Sequence, residues 1–189
     1  MGSTPIRFRQ ETMARHDRQP RPRRRISRRQ RLILATTTAV VVAVGVGYFA
    51  YRAAANLPGV AMPDQGNLHI AAADAPHEAY NSDPPTSGPH LPYIAPWGVH
   101  TRPIPPPLQV HNLEDGGVLI QYNCECPDLV ERLRAIVRRY DRHVILAPYP
   151  PMKSRIALTA WARIDAFEEF DEKRIVRFVE AYRGIDHHK

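Results

Sequence analysis

His69, His90 and His111, with the carboxylates Glu114 and Asp115, are the side chains of this sequence best suited to hold a metal ion. Neutral imidazole is a good ligand for zinc and for copper, and a carboxylate oxygen can complete the set. None of the histidine spacings matches a local motif such as His-x-x-x-His, so the fold has to assemble any such site. The competing reading is that these imidazoles cap turns and hydrogen-bond backbone carbonyls, stapling a loop. His187 and His188, at the end of the chain, read as solvated, and His77, His100 and His143 carry no separate signal.

Cys124 and Cys126 are the second chemically suggestive group. They close a strand-like run and precede Pro127, where a helix N-terminus would stabilise a thiolate for redox chemistry or metal binding. The order of elements around them is similar to part of a thioredoxin-like layout. One intervening residue is not the Cys-x-x-Cys spacing, however, and in an oxidising compartment two cysteines this close form a local disulfide or sit inert. A third option, Ser87 as a nucleophile near His90, lacks both the Gly-x-Ser-x-Gly pattern and a strand leading into it. Glu114 and Asp115 would face apart in a strand, so a working carboxylate pair needs a turn there.

The elements that must position these residues are legible in part. Nine prolines in residues 81–107 fix φ and remove N–H donors, which predicts a long extended loop in place of a helix or interior strand. Tyr80 just before it and its His90, Tyr93, Trp97 and His100 suit an ordered loop draped over a domain, with His111 beginning the strand that follows. Residues 117–122, 144–147 and 156–162 read as strands. Pro127 opens a helix whose Leu129, Val130, Leu133, Ile136 and Val137 share a face, and Asp171 caps a last helix that Gly184 stops. Strand, helix, strand, strand, helix predicts an α+β or α/β fold: a small mixed sheet with two packed helices and the proline-rich loop.

At 189 residues the chain holds one compact domain plus appendages. Eleven of its 26 basic residues lie in residues 1–31, against Glu11 and Asp17, which leaves 15 basic and 17 acidic residues in the rest. The net charge of +7 therefore belongs to a tail, which argues against a specific nucleic-acid-binding domain. Residues 32–50 follow without a charge and span about 28 Å as a helix, the thickness of a bilayer core. Thr36, Thr37 and Thr38 are consecutive, so they make no polar stripe. The arginine excess predicts a cytoplasmic, disordered tail (1–31), a transmembrane helix (32–51), a linker (52–63) and an extracytoplasmic domain (64–186). A cleaved export signal ending near Ala53, Ala54 and Ala55 would deliver the domain to the same side.

Asp64-Gln65-Gly66 with His69, Tyr80-Asn81-Ser82-Asp83-Pro84-Pro85-Thr86-Ser87-Gly88-Pro89-His90, Pro96-Trp97-Gly98 and Val110-His111-Asn112-Leu113-Glu114-Asp115-Gly116-Gly117-Val118 occur in that order. These motifs, with Ala157 to Trp161 and Phe178 to Arg183 after them, resemble the domain of unknown function 3105, DUF3105. The resemblance implies an exported or membrane-anchored bacterial protein with recurring histidines, and brings no established activity. The family pattern reads Leu-Glu-His-Gly where this chain has Asp115; if relatives bind metal there, aspartate would ligate through oxygen and favour a harder ion. The expectation is a single-pass, membrane-anchored domain, with the bilayer and an envelope protein as partners and zinc or copper as the metal. A thiol/disulfide redox protein and a purely structural or protein-interaction module are the alternatives, and the balance leans away from an enzyme.

Overall fold

The computed structural model describes residues 27–188, which divide after Arg52 into two units. Residues 1–26, most of the basic tail, lie outside the described residues. Helix α1 (Arg28–Ala55) dominates the first unit. Its start is a reciprocal capping box: the Gln30 N–H donates to Ser27 Oγ at 3.2 Å, and the Ser27 N–H donates to Gln30 Oε1 at 3.0 Å. The helix therefore begins four residues before the apolar run. The hydroxyls of Thr36, Thr37 and Thr38 donate to the carbonyls of Ile33 and Leu34 at 2.9 Å, so these three hydroxyls are satisfied within the helix. Arg28–Phe49 is long and apolar enough to cross a membrane.

The second unit is an α+β domain around a six-stranded mixed sheet. Its strands are β1 (Val60–Ala61), β2 (Gly98–Val99), β3 (Val118–Tyr122), β4 (Val144–Pro148), β5 (Ile156–Ala160) and β6 (Arg163–Phe167), in the order β1-β6-β5-β3-β4-β2. β3 runs parallel to β4, and β4 to β2; β5 and β6 add antiparallel on the other side. Helix α3 (Pro127–Val137) supplies the crossover from β3 to β4. Helix α4 (Glu172–Tyr182) follows the β5–β6 hairpin, capped by Asp171, whose carboxylate accepts the Arg174 N–H at 3.0 Å.

Both faces of the sheet are covered, which is why the central strands are apolar almost throughout. On one face Val118, Ile120, Val144, Leu146, Ile156 and Leu158 pack with Leu133 and Ile136 of α3 and Ile175, Phe178 and Val179 of α4. On the other, Leu119, Ile145 and Ala147 meet Ala95, Ile104 and Trp161 together with Val110 and Leu113 of a further helix, α2 (Pro106–Glu114). The proline-rich segment thus lies over the second face as an ordered layer.

Helix α2 corrects three expectations. Residues 106 and 107 are not loop, and His111 does not begin a strand; three helices, not two, pack on the sheet. Pro106 and Pro107 occupy the first turn of α2, where the N–H that proline lacks would have had no intrahelical partner. The strand read over residues 156–162 ends at Ala160, because the chain reverses at Trp161 and Ala162, with Ala162 in the left-handed region at φ 53°. The stretch read as a linker contributes β1, which pairs with β6.

Candidate metal centre

Two extended segments of the irregular layer run side by side and carry the first two histidines. The Gly88 N–H donates to the Gly66 carbonyl at 2.9 Å, the His90 N–H to Leu68 at 2.9 Å and the Ile70 N–H to His90 at 2.8 Å, so His69 and His90 are bridged neighbours. Side chains lock this pair in place. The Gln65 N–H donates to Ser87 Oγ at 3.0 Å, Gln65 Oε1 accepts the Asn81 N–H at 2.8 Å, and the Tyr80 hydroxyl donates to the Pro89 carbonyl at 2.6 Å. Asn112, fully buried on α2, clamps the layer from below: its side chain accepts the Ala95 N–H and donates to the Ala95 carbonyl, both at 2.9 Å.

The last turn of α2 brings His111 and Glu114 to the same place, three residues apart and so on one helical face. His90 and Glu114 are buried, with His90 Nε2 2.9 Å from Glu114 Oε2. His90 Nδ1 lies 2.8 Å from the Gly88 carbonyl oxygen. A carbonyl only accepts, so Nδ1 carries the proton, and in the neutral ring the lone pair of Nε2 faces a carboxylate oxygen. Two such acceptors need a proton or a cation between them. Ligand atoms each about 2.0–2.1 Å from one tetrahedral zinc ion stand about 3.3 Å from each other, and the separations from Glu114 Oε2 here, 2.9 to 3.9 Å, fall on either side of that value. Tying the far ring nitrogen to a carbonyl is also how metal-bound histidines are oriented. Gly88 makes this possible: at φ 114° it holds a conformation closed to other residues, with the Tyr80 ring packed against it.

The other two ligand atoms approach the same oxygen. His111 Nδ1 is 3.8 Å from Glu114 Oε2, and His69 Nε2 is 3.9 Å away on a half-exposed side chain that opens the site to solvent. One potential ligand atom from each of His69, His90, His111 and Glu114 falls within 4.8 Å of the others. His111 Nδ1 and Glu114 Oε1 are buried and have no hydrogen-bond partner, a cost of about 1–3 kcal/mol each if nothing else binds them. Burial lowers the His111 pKa, with Asp115 opposing it, so the neutral, ligating form is favoured.

The sequence-derived residues distribute as follows. His69, His90, His111 and Glu114 converge, while Asp115, the C-cap of α2, falls into a neighbouring group with His111 and His188. Glu114 and Asp115 sit at a helix end instead of in a strand, so they need not face apart. His188 is the residue the sequence reading missed. Its place at the end of the chain predicts a solvated side chain, yet its Nε2 is 3.4 Å from Glu114 Oε2 and 3.5 Å from Asp115 Oδ1. A histidine after the last helix belongs to no periodic pattern, and only the fold returns it to α2. Ser87 is buried with its hydroxyl occupied as an acceptor, which does not suit a nucleophile. Cys124 and Cys126 form a disulfide where β3 passes into α3. It lines a separate groove of about 640 Å³ with Tyr122, Val130, Pro148 and Pro150.

Residues 74–189 match the model of a family described as a protein of unknown function, DUF3105. No curated protein and no solved structure matches the chain.

Proposed function

Because the chain belongs to the DUF3105 family, whose description carries no activity, its own residues have to supply the function, and we propose a membrane-anchored domain that binds zinc or copper through His69, His90, His111 and Glu114. The observation that carries this reading is the contact of His90 Nε2 with Glu114 Oε2, made with the other ring nitrogen already tied to Gly88. Three imidazoles and one carboxylate, with no thiolate, suit Zn²⁺ and Cu²⁺ better than calcium or magnesium, which prefer oxygen ligands throughout. Anchoring and orientation rest on α1 and on the arginines before it, which by the positive-inside rule keep the N-terminus in the cytoplasm and put the domain outside. There the site would meet metal ions of the cell envelope.

Metal content decides the matter. The full chain, purified in detergent, stripped with a chelator and dialysed against zinc or copper, is expected to retain metal, and His90→Ala is expected to lose most of it. A chain that stays metal-free after both loadings would sink the reading. The His90–Glu114 contact would then be a proton-sharing staple in a structural or protein-interaction module.

A second reading, thiol–disulfide exchange at Cys124–Cys126, draws on the position of the pair. Cys126 is the N-cap of α3 and makes no side-chain capping bond there, so a released thiolate would find unpaired helix N–H groups. Incubation with a glutathione redox buffer followed by alkylation tests it: a bond that stays oxidised throughout the buffer range is inert.

A further inference from the structure

Resting on that metal reading, we propose that the centre holds two divalent ions, the second bound by His111 Nε2, Asp115 and His188, with the His111 ring bridging the pair. The chain after α4 is not a loose end. Gly184 turns it back at φ 77°, the Gly184 N–H donates to the Gly116 carbonyl at 2.7 Å, and the His187 N–H donates to the Glu114 carbonyl at 2.9 Å. The His187 ring stacks on Trp161, with centroids 5.9 Å apart and planes 19° from parallel. These contacts fasten the tail across the C-terminal end of α2 and deliver His188 to the carboxylates.

His188 repeats the arrangement of His90. Its Nδ1 is 2.7 Å from Asp186 Oδ1, so that nitrogen carries a donated proton and Nε2 is turned toward Asp115 and Glu114. Two histidines reached from opposite ends of the domain are thus prepared in the same way, with one nitrogen tied off and the other presented inward. His111 stands between them. Its Nδ1 faces Glu114 Oε2 and its Nε2 faces Asp115 Oδ1, each at 3.8 Å. The ligand atoms of His111, Asp115 and His188 lie within 4.8 Å of one another, as a second group that shares only His111 with the first four.

A ring that ligates through both nitrogens holds its ions about 6 Å apart, the ring width plus a bond of about 2 Å at each end. Binding the second ion forms a metal–nitrogen bond and breaks the last N–H of His111, whose proton leaves to solvent. Glu114 and Asp115 then supply one carboxylate to each ion, and the bridging ring adds a negative charge between them. The ions are zinc or copper, by the same ligand chemistry as at the first position.

Equilibrium dialysis of the full chain in detergent, native and His188→Ala, against Zn²⁺ and separately Cu²⁺ tests this. The expected result is two ions per native chain and one per His188→Ala chain, with thermal stability of the metal-free proteins alike because His188 is half exposed. In the copper form, electron paramagnetic resonance is expected to show less signal than the copper content requires, since ring-bridged ions couple, and full signal for the single ion of the variant. One ion in the native chain, or two in both proteins, overturns the proposal while leaving the metal reading intact. No ion in either overturns both.

Discussion

Glu114 is the residue on which the proposed centre turns, because one of its oxygens faces four imidazoles, those of His69, His90, His111 and His188, from a buried position. Glu114→Gln keeps the size and removes the charge. It is expected to weaken zinc binding by at least about tenfold, read by competition with a chromogenic chelator; unchanged affinity would remove Glu114 from the ligand set. Tyr80 makes a different prediction. Burial pushes its hydroxyl up to about 12 from the ordinary value of 10.0, while the buried proton is donated to Pro89 beside His90. Between those values the unfolded chain gives up the proton and the folded chain keeps it. The stability due to this group is therefore complete below about pH 10 and is lost as pH rises toward 12. Melting curves at pH 9 to 11.5 should fall more steeply for the native protein than for Tyr80→Phe; parallel curves would contradict this. At this scale the sequence singled out the four side chains that converge, His69, His90, His111 and Glu114, but not His188 beside them. Nothing local to His188 distinguishes it from a solvated residue, and nothing local to Ser87 shows that its hydroxyl is already engaged.

Among the elements, α2 carries the most information per residue and was the least visible. Its two opening prolines resemble those of the loop before it, and its Val110 and Leu113 are too few to establish a period. The long apolar faces of α3 and α4, by contrast, could be read directly from spacing, as could β3 and β4. The turn from α2 to β3 is tight: a Cβ on Gly117 would fall on the Asn112 carbonyl oxygen and 2.8 Å from the Trp97 ring. Gly117→Ala is expected to cost about 2–3 kcal/mol in urea unfolding, from overpacking that backbone atoms cannot relieve, and to weaken metal binding by moving the end of α2. A change under about 0.5 kcal/mol would mean that the turn is looser than it looks. The disulfide closes a loop with one residue between its ends, and loop-closure stabilisation grows with loop length. Replacing both cysteines with serine should therefore shift the urea midpoint little, by the equivalent of about 1 kcal/mol or less. A larger loss would make the bond a structural staple and weaken the exchange reading.

For the whole molecule, the proposed topology predicts that alkaline phosphatase fused after residue 189 is active and that β-galactosidase fused there is not; the reverse pattern would place the domain in the cytoplasm. The start of the folded part needed tertiary knowledge, because β1 lies in the stretch that reads as linker, whereas charge and hydropathy are sums over neighbours in the chain, so the basic tail and an apolar helix of membrane-spanning length needed none. The same holds for helices and strands whose own periodicity exceeds two turns or four alternations, and for the family, because its motifs are runs of adjacent residues. The site is of another kind. His69, His90, His111 and His188 are separated by 21, 21 and 77 positions. Their meeting depends on a parallel pairing of two irregular segments, on a helix that starts at prolines, and on a glycine turn that returns the chain to where α2 ends. Each is a long-range contact whose free energy comes from packing partners remote in sequence, so only the folded chain decides which imidazoles share a carboxylate.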